Sequence, residues 1–493
     1  MKLQLLSFAV LAPIAVTPQE AAPEAPAETR GLVHRAEGAL DGYTLIAPLT
    51  SRALYLIDMD GRVAKQWEPE HVLEAGRLLD DGNLLLWGVA SLEPNPRFQG
   101  PGVEGGIVLE MDWDGNVLWK YVLDDDYQLL HHDVVRLPNG NLLVLAWEHR
   151  YREDAIEWGR DPAQIGEVGM WPDAVLELRP TPPEGAEIVW EWHVWDHLVQ
   201  DFDSEKTNFG SVQDEPGKFD INADHRDRPA MTPEKLAKVE ELERQMAALG
   251  YGGEDEEEEE EEPRTRTGTV PDWMHTNGLD YLPEHDLIVL SSPALNELWV
   301  LDHSTTTEEA AGDTGGRWKH GGDLLWRWGN PRNWGAGGDE DQQLFFQHQP
   351  TWIPGKEPGE LRLLVFNNGR GRPAGDYSSV DELVLPFDPE RGFLRDPGGA
   401  FGPAGPVWSF HLGPELYSPF ISGAQRLPNG NTLLCSGTQG RVLEVAPDGT
   451  ILWDWLNPYG GDLSIGQGSP PPLSLYRATR IPKDHPGLAD KGL

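Results

Sequence analysis

The chain has 493 residues and a formal net charge of -43, from 39 Lys and Arg against 82 Asp and Glu. That balance argues against nucleic acid or an anionic membrane surface as a partner. A hydrophobic content of 39% with 20 Trp supports a large packed core, while 55 Gly and 42 Pro favour a turn-rich all-β architecture over a helical one.

Residues 1–20 read as a signal peptide. Lys2 supplies the positive end, and Leu3 to Val16 is an apolar stretch too short to span a bilayer. An Ala/Pro/Glu-rich linker follows, over residues 21–39. The expectation is a periplasmic or secreted protein with no membrane span in the mature chain. Cys435 is the single cysteine, so no internal disulfide supports the fold.

From residue 40 to 493 a three-part unit repeats. A turn ending an apolar residue comes first: Leu78-Leu-Asp-Asp-Gly-Asn83, Leu137-Pro-Asn-Gly-Asn141, Leu282-Pro-Glu-His-Asp286 and Leu427-Pro-Asn-Gly-Asn431. An apolar run follows, as in Leu142-Leu-Val-Leu145. An alternating strand then leads through Asp-Gly to a Trp strand, as in Val108-Leu-Glu-Met-Asp112 to Trp119 and Val442-Leu-Glu-Val445 to Trp455. Asn-Gly and Asp-Gly supply the positive φ of tight hairpins, and period-2 alternation between them marks strands. Six units end near Glu68, Tyr121, Val194, Gly329, Leu412 and Trp455, which predicts a six-bladed β-propeller. The Trp residues at the blade ends are expected to pack between blades. Leu475 to Arg480 is expected to close the ring by pairing with Tyr43 to Leu49.

One insertion, 201–271, interrupts the pattern between blades three and four. It contains a helical segment with Thr232 as N-cap, Pro233 at the first position and Gly250 at the end. The acidic run Glu254 to Glu262 follows. The whole is expected to be a surface excursion, with a lid as the alternative.

Histidines recur at matching places in three successive units. They are His131 and His132 in Leu-Leu-His-His-Asp, His275 in Asp-Trp-Met-His-Thr-Asn, and His348 in Phe-Phe-Gln-His-Gln-Pro. Each is expected to start a strand. His132 and His348 share a register, each five residues before the corresponding apolar position, Leu137 and Ile353. A radial fold brings such positions to one axis. Clustered imidazoles there make either a catalytic centre or a metal site, with Asp133 as a further ligand in the second case. His193 and His197 are expected to be structural or to line an entrance.

These motifs together resemble the bacterial arylsulfate sulfotransferases. The resemblance rests on His131-His-Asp-Val-Val-Arg-Leu-Pro-Asn-Gly-Asn141, Asp272-Trp-Met-His-Thr-Asn277 with Leu290-Ser-Ser292, Gln347-His-Gln-Pro350 with Phe366-Asn-Asn-Gly369, and Gly440-Arg-Val-Leu-Glu444. It covers about residues 40 to 480. It implies a periplasmic six-bladed propeller that passes a sulfuryl group from an aryl sulfate ester to a phenol, without a nucleotide sulfate donor or other cofactor. It also implies a transiently sulfated histidine, matched here by His348, with His131, His132 and His275 in support. Two departures stand out. Pro293 occupies the place of an Arg that holds sulfate oxygens, and Asn367 that of an Asp. The expected substrate-binding residues are Asn277, Asn367, Arg370 and Arg372, the last two as replacements for the missing guanidinium. A propeller that binds a ligand or partner without catalysis, and a His-cluster metalloenzyme, are the alternatives.

Overall fold

The computed structural model describes residues 30–93, 95–98, 105–223, 271–461, 463 and 473–493. The expected signal peptide, the helix begun by Thr232 and the acidic run lie outside them. Six antiparallel sheets form the blades of a propeller. From the inner to the outer edge, blade two runs Val72–Leu78, Leu84–Val89, Gly106–Met111, Val117–Val122, and blade three runs Gln128–Arg136, Leu142–Glu148, Asp173–Pro180, Ala186–His193. Blade four is Gly278–Leu282, Leu287–Ser292, Glu297–Asp302, Trp326–Trp328; blade five is His348–Ile353, Arg362–Asn367, Ser379–Val384, Trp408–Phe410.

Blades six and one share the chain ends. Blade six is Gly423–Arg426, Thr432–Ser436, Arg441–Val445 and Ile451–Leu456, with Gly31–Arg35 added outside it as a fifth strand. Blade one takes its inner strand, Leu475–Pro482, from the C-terminal segment, paired with Gly42–Pro48; Leu54–Ile57 and Val63–Trp67 complete it. Ring closure thus follows the sequence expectation, and the second clasp on blade six adds to it. Closure matters because an open sheet edge exposes unpaired backbone groups.

Three of the four repeated turns share one geometry, the exception being Leu282 to Asp286. Leu137 N donates to Asn141 O at 2.8 Å, and Leu427 N to Asn431 O at 2.8 Å. Gly140 and Gly430 sit at φ 89° and 87°, where a side chain is strained. The turn's Asn then caps a glutamate on its own blade's third strand: Asn83 on Glu110, Asn141 on Glu177 and Asn431 on Glu444. The other oxygen of each glutamate takes a cation-capable side chain from the next blade, Arg136, His303 or Arg480. Glu382 of blade five takes Arg426 in the same way.

The tryptophans form a second ring of clasps. Trp67, Trp119, Trp192, Trp326, Trp408 and Trp453, on the outer strands of blades one to six, donate Nε1–H to Trp113 O, Gly185 O, Gly322 O, Gly402 O, Pro447 O and Met59 O of the following blade, at 2.7 to 2.9 Å. Five of the six are buried, Trp408 is half-buried, and each satisfies its ring donor across the gap. The expectation that these residues pack blade against blade is met.

The insertion departs from expectation at its flanks. Phe219–Asp220 pairs in parallel with Leu198–Val199, and Phe219, Ile221, Trp273 and Met274 are buried in the core between blades three and four. Burial of Phe219 and Ile221 away from water stabilises that core, so the segment around them packs against the blades. Among the described residues the α-helices are two short ones, Arg152–Glu157 and Thr307–Ala310, and no helix is long and apolar enough to cross a membrane.

Candidate functional site

In four of the six blades the ladder of the inner strand breaks near its start. Register shifts occur opposite Glu74 in blade two, at His132 and Asp133 in blade three, after His348 in blade five, and near Arg477 in blade one. His132, His275, Gln349, Ile421 and Ser422 adopt positive φ of 55°, 52°, 49°, 52° and 91°. Non-glycine residues there are strained, and such strain concentrates at functional positions.

His132 and His348 lie at these breaks. His348 starts its strand as expected. His131 and His132 instead lie within theirs, and His275 lies three residues ahead of Gly278–Leu282. The two extra residues of the bulge are His132 and Asp133, and His131 stays inside the blade, stacked on Trp147. All four are buried, between 0% and 6% exposed. The ring of His132 lies 4.5 Å from that of His275. His131 stacks on Trp147 at 3.8 Å, and its Nδ1 is 2.9 Å from Nδ1 of His132. Asp173 Oδ1 lies 3.2 Å from His131 Nε2, poorly aligned for a hydrogen bond, while Asp173 Oδ2 accepts from Thr276 N at 2.9 Å. Asp272 bonds His275 Nδ1 through one oxygen and Trp147 Nε1, at 3.1 Å, through the other. A carboxylate on Nδ1 orients an imidazole and balances the charge of its protonated form.

The tautomer of His348 is settled by its surroundings. Asn368 Nδ2 donates to Ser418 O at 2.6 Å and Ile421 O at 2.8 Å, so its Oδ1 must be the atom facing His348 Nδ1 at 2.8 Å. Nδ1 therefore carries the proton, and Nε2 presents its lone pair, which accepts from Ile421 N at 3.0 Å. Burial pushes the His348 imidazole down to about 3, with the charges of His275 and Arg477 adding to the effect. Burial, and then the neighbouring histidines and Arg477, hold His132 well below the usual imidazole range. Both rings are neutral at neutral pH.

Ser291 and Ser292 connect two of these histidine segments. Ser291 Oγ accepts from Gln347 Nε2 at 3.2 Å, and Ser292 Oγ donates to Met274 O at 2.7 Å, next to His275. Pro293 is buried in the turn that follows, where its carbonyl accepts from Asn296 N.

Three expected substrate-binding residues are engaged elsewhere. Asn277 Nδ2 donates to Gln347 O, and Asn277 O accepts from Tyr476 Oη and Arg477 Nη2. Asn367 donates to Gln343 O and Asp381 Oδ2 and accepts from Phe345 N, so the neighbouring Asn368 is the one that meets His348. The alternation of the strand puts only one of the pair toward the axis. Arg372 bonds Ser379 Oγ and lies over Tyr377. Arg370 lies over the ring of Phe346, which is 6.0 Å from that of His348. His197 and His193 are held by Asp323 and Glu148, which gives them structural partners. Among the described residues no group of three or more His, Cys, Asp or Glu side chains is arranged to hold a metal ion.

Sequence reasoning missed Asp173, Asp272, Asn368, Ile421 and Arg477. Register points to one neighbour: five residues before Ile481, the counterpart of Leu137 on the closing strand, stands Tyr476, adjacent to Arg477. The Tyr476 ring is 6.1 Å from that of His132.

The family model described as arylsulfotransferase (ASST) matches residues 49–382. No curated protein matches the sequence. Among solved structures, a protein of unknown function from Bacteroides caccae is 9% identical with a TM-score of 0.42, covering 90% of this chain and 99% of that one. A putative 6-phosphogluconolactonase from Bacteroides fragilis is 10% identical with a TM-score of 0.38, again covering 90% and 99%. Catalytically inactive virginiamycin B lyase from Staphylococcus aureus is 7% identical with a TM-score of 0.33, covering 86% of each chain. These structural likenesses carry no argument about function.

Proposed function

This chain belongs to the arylsulfotransferase family, and from that premise we propose that it moves a sulfuryl group from an aryl sulfate ester to a phenolic acceptor through a sulfated His348, with no nucleotide donor. The observation that carries the reading is the arrangement at His348: a buried, neutral imidazole with its proton held on Nδ1 and its Nε2 lone pair directed at a strained backbone amide. A neutral imidazole is a competent nucleophile and a good leaving group when attacked in turn.

In the first half-reaction Ile421 N–H leaves the Nε2 lone pair, and Nε2 forms a bond to sulfur. The sulfur–oxygen bond to the aryl group breaks, and its electron pair goes to the departing oxygen. His275, oriented by Asp272, enters protonated and gives that oxygen its proton. In the second half His275 takes the proton of the acceptor phenol, whose oxygen attacks sulfur and releases Nε2. His132 stays neutral, held through Nδ1 by His131, and contributes a hydrogen bond rather than a proton. Burial of these groups away from solvent strengthens each of these interactions. Export of the mature protein to the periplasm or beyond belongs to the same proposal and rests on the apolar stretch Leu3 to Val16.

Two observations favour a second reading, a propeller that binds a sulfate ester without turning it over: Pro293 stands at the family's Arg, and Nε2 already has a partner. The deciding experiment is the intact mass of the protein after incubation with an aryl sulfate. A gain of one sulfuryl group in the wild type, absent in His348→Ala, is the expected result. Binding of the ester with no gain in mass establishes the second reading instead.

A further inference from the structure

Sulfuryl transfer, like phosphoryl transfer, spreads negative charge over three peripheral oxygens, and a site that performs it needs a cation facing them. Pro293 provides none, Arg372 is turned to Ser379, and Arg370 stacks over Phe346. The ring-closing strand brings one to the axis instead. Arg477 is 4% exposed and follows Tyr476, which shares the register of His132 and His348. Its Nη2 donates to Asn277 O at 2.8 Å, and its Nη1 lies 2.7 Å from Asp133 Oδ1. Asn277 in turn holds Gln347 O, one residue before His348. Nη1 of Arg477 is paired with the Asp133 carboxylate, while Nε is buried with no hydrogen-bond acceptor. A charged donor left so is costly unless a ligand completes it. The charge of Arg477 also reaches both His132 and His348, lowering the proton affinity of each.

We propose that Arg477 holds the sulfuryl oxygens of the donor, replacing from the closing strand the guanidinium that the family places at Pro293. Asp133 keeps the guanidinium in position and balances its charge before substrate arrives. The inference rests on the sulfotransferase reading, but its test does not require turnover. Binding of inorganic sulfate is measured by calorimetry for wild type and for Arg477→Gln combined with Asp133→Asn, which removes both buried charges together. At least a tenfold weakening is expected from loss of a charge-assisted contact. Unchanged sulfate affinity in the folded double variant overturns the proposal. Should the double variant lack a cooperative melt, Arg477→Lys decides. It keeps the pairing with Asp133 but loses the planar fork, so sulfate affinity falls about tenfold if the guanidinium grips oxygens. An unchanged sulfate affinity leaves Arg477 a structural partner of Asp133 and overturns the proposal. The two readings fail separately. Arg477-dependent sulfate binding without a gain in mass sinks the transferase, whereas a gain in mass with Arg477-independent binding sinks only this inference.

Discussion

The rim and the axis of this propeller are built on opposite rules. At the rim one contact recurs in all six blades, a Trp Nε1–H given to the next blade's backbone. At the axis the corresponding positions vary from blade to blade, with histidine at only two of them. His132, Asn277, His348, Ser422 and Tyr476 share one register, the ladders shift at His132, His348 and Tyr476, and several residues sit at positive φ. The rim repeats because its task, holding neighbouring sheets at about 10 Å with every donor satisfied, is the same six times. The axis varies because six blades contribute different side chains to one small volume. Strain and buried neutral imidazoles accumulate where the scaffold around them is regular enough to hold them.

Substitutions on the two sides should therefore separate activity from stability. The largest effect is expected at the axis. His348→Ala abolishes the gain in mass and lowers kcat by on the order of 10³ or more, while a cooperative melt persists. A collapse of the melt would show that the axis carries the fold as well. Asp272→Asn leaves His275 in place but removes the partner of its protonated form. The expected loss in kcat is about 10² to 10⁴, read with saturating donor; a normal kcat would remove His275 from proton transfer.

At the rim, Trp453→Phe deletes the donor to Met59 O and leaves a buried carbonyl short of a partner. About 1 to 3 kcal/mol of unfolding free energy should disappear, with kcat unchanged. If kcat falls in step, the rim and the axis are not separable. Asn367→Asp restores the residue usual in the family but opposes Asp381 and loses the bond to Gln343 O. It should lower stability by about 1 to 3 kcal/mol without raising activity, checked by denaturant unfolding beside steady-state rates.

The smallest effect is in the pH dependence of stability. Burial pushes the Glu74 carboxyl up to about 8, from 4.5 in an unperturbed chain, with Arg477 opposing the shift. Between those values the folded chain keeps a proton that the unfolded chain has lost, so the stability Glu74 contributes is full below about pH 4.5 and fades toward pH 8. His348 works from the other side. Pushed down to about 3 from 6.5, it costs stability as pH falls through that window, because the unfolded chain binds the proton first. Glu74→Gln should flatten the alkaline slope alone, measured by denaturant unfolding at several pH values. An unaltered slope would mean that Glu74 is ionised beside Arg477.

Much of the rim was legible in advance. Leu-Pro-Asn-Gly-Asn marks the turn, the alternation of Val-Leu-Glu marks the strand after it, and the Trp strands mark the blade's outer edge. Local chemistry determines these: positive φ selects Gly, alternation selects the face, and a repeat carries both six times. The shared register of His132 and His348 was legible for the same reason. What the tertiary structure alone decided is how the axis is wired. Asn368 rather than Asn367 fixes the tautomer of His348, and the amide of Ile421 meets its lone pair. Arg477 reaches Asn277 across 200 positions of sequence. No local pattern encodes such contacts, because hydrogen-bond partners from different blades become neighbours only once the ring has closed and excluded water from between them.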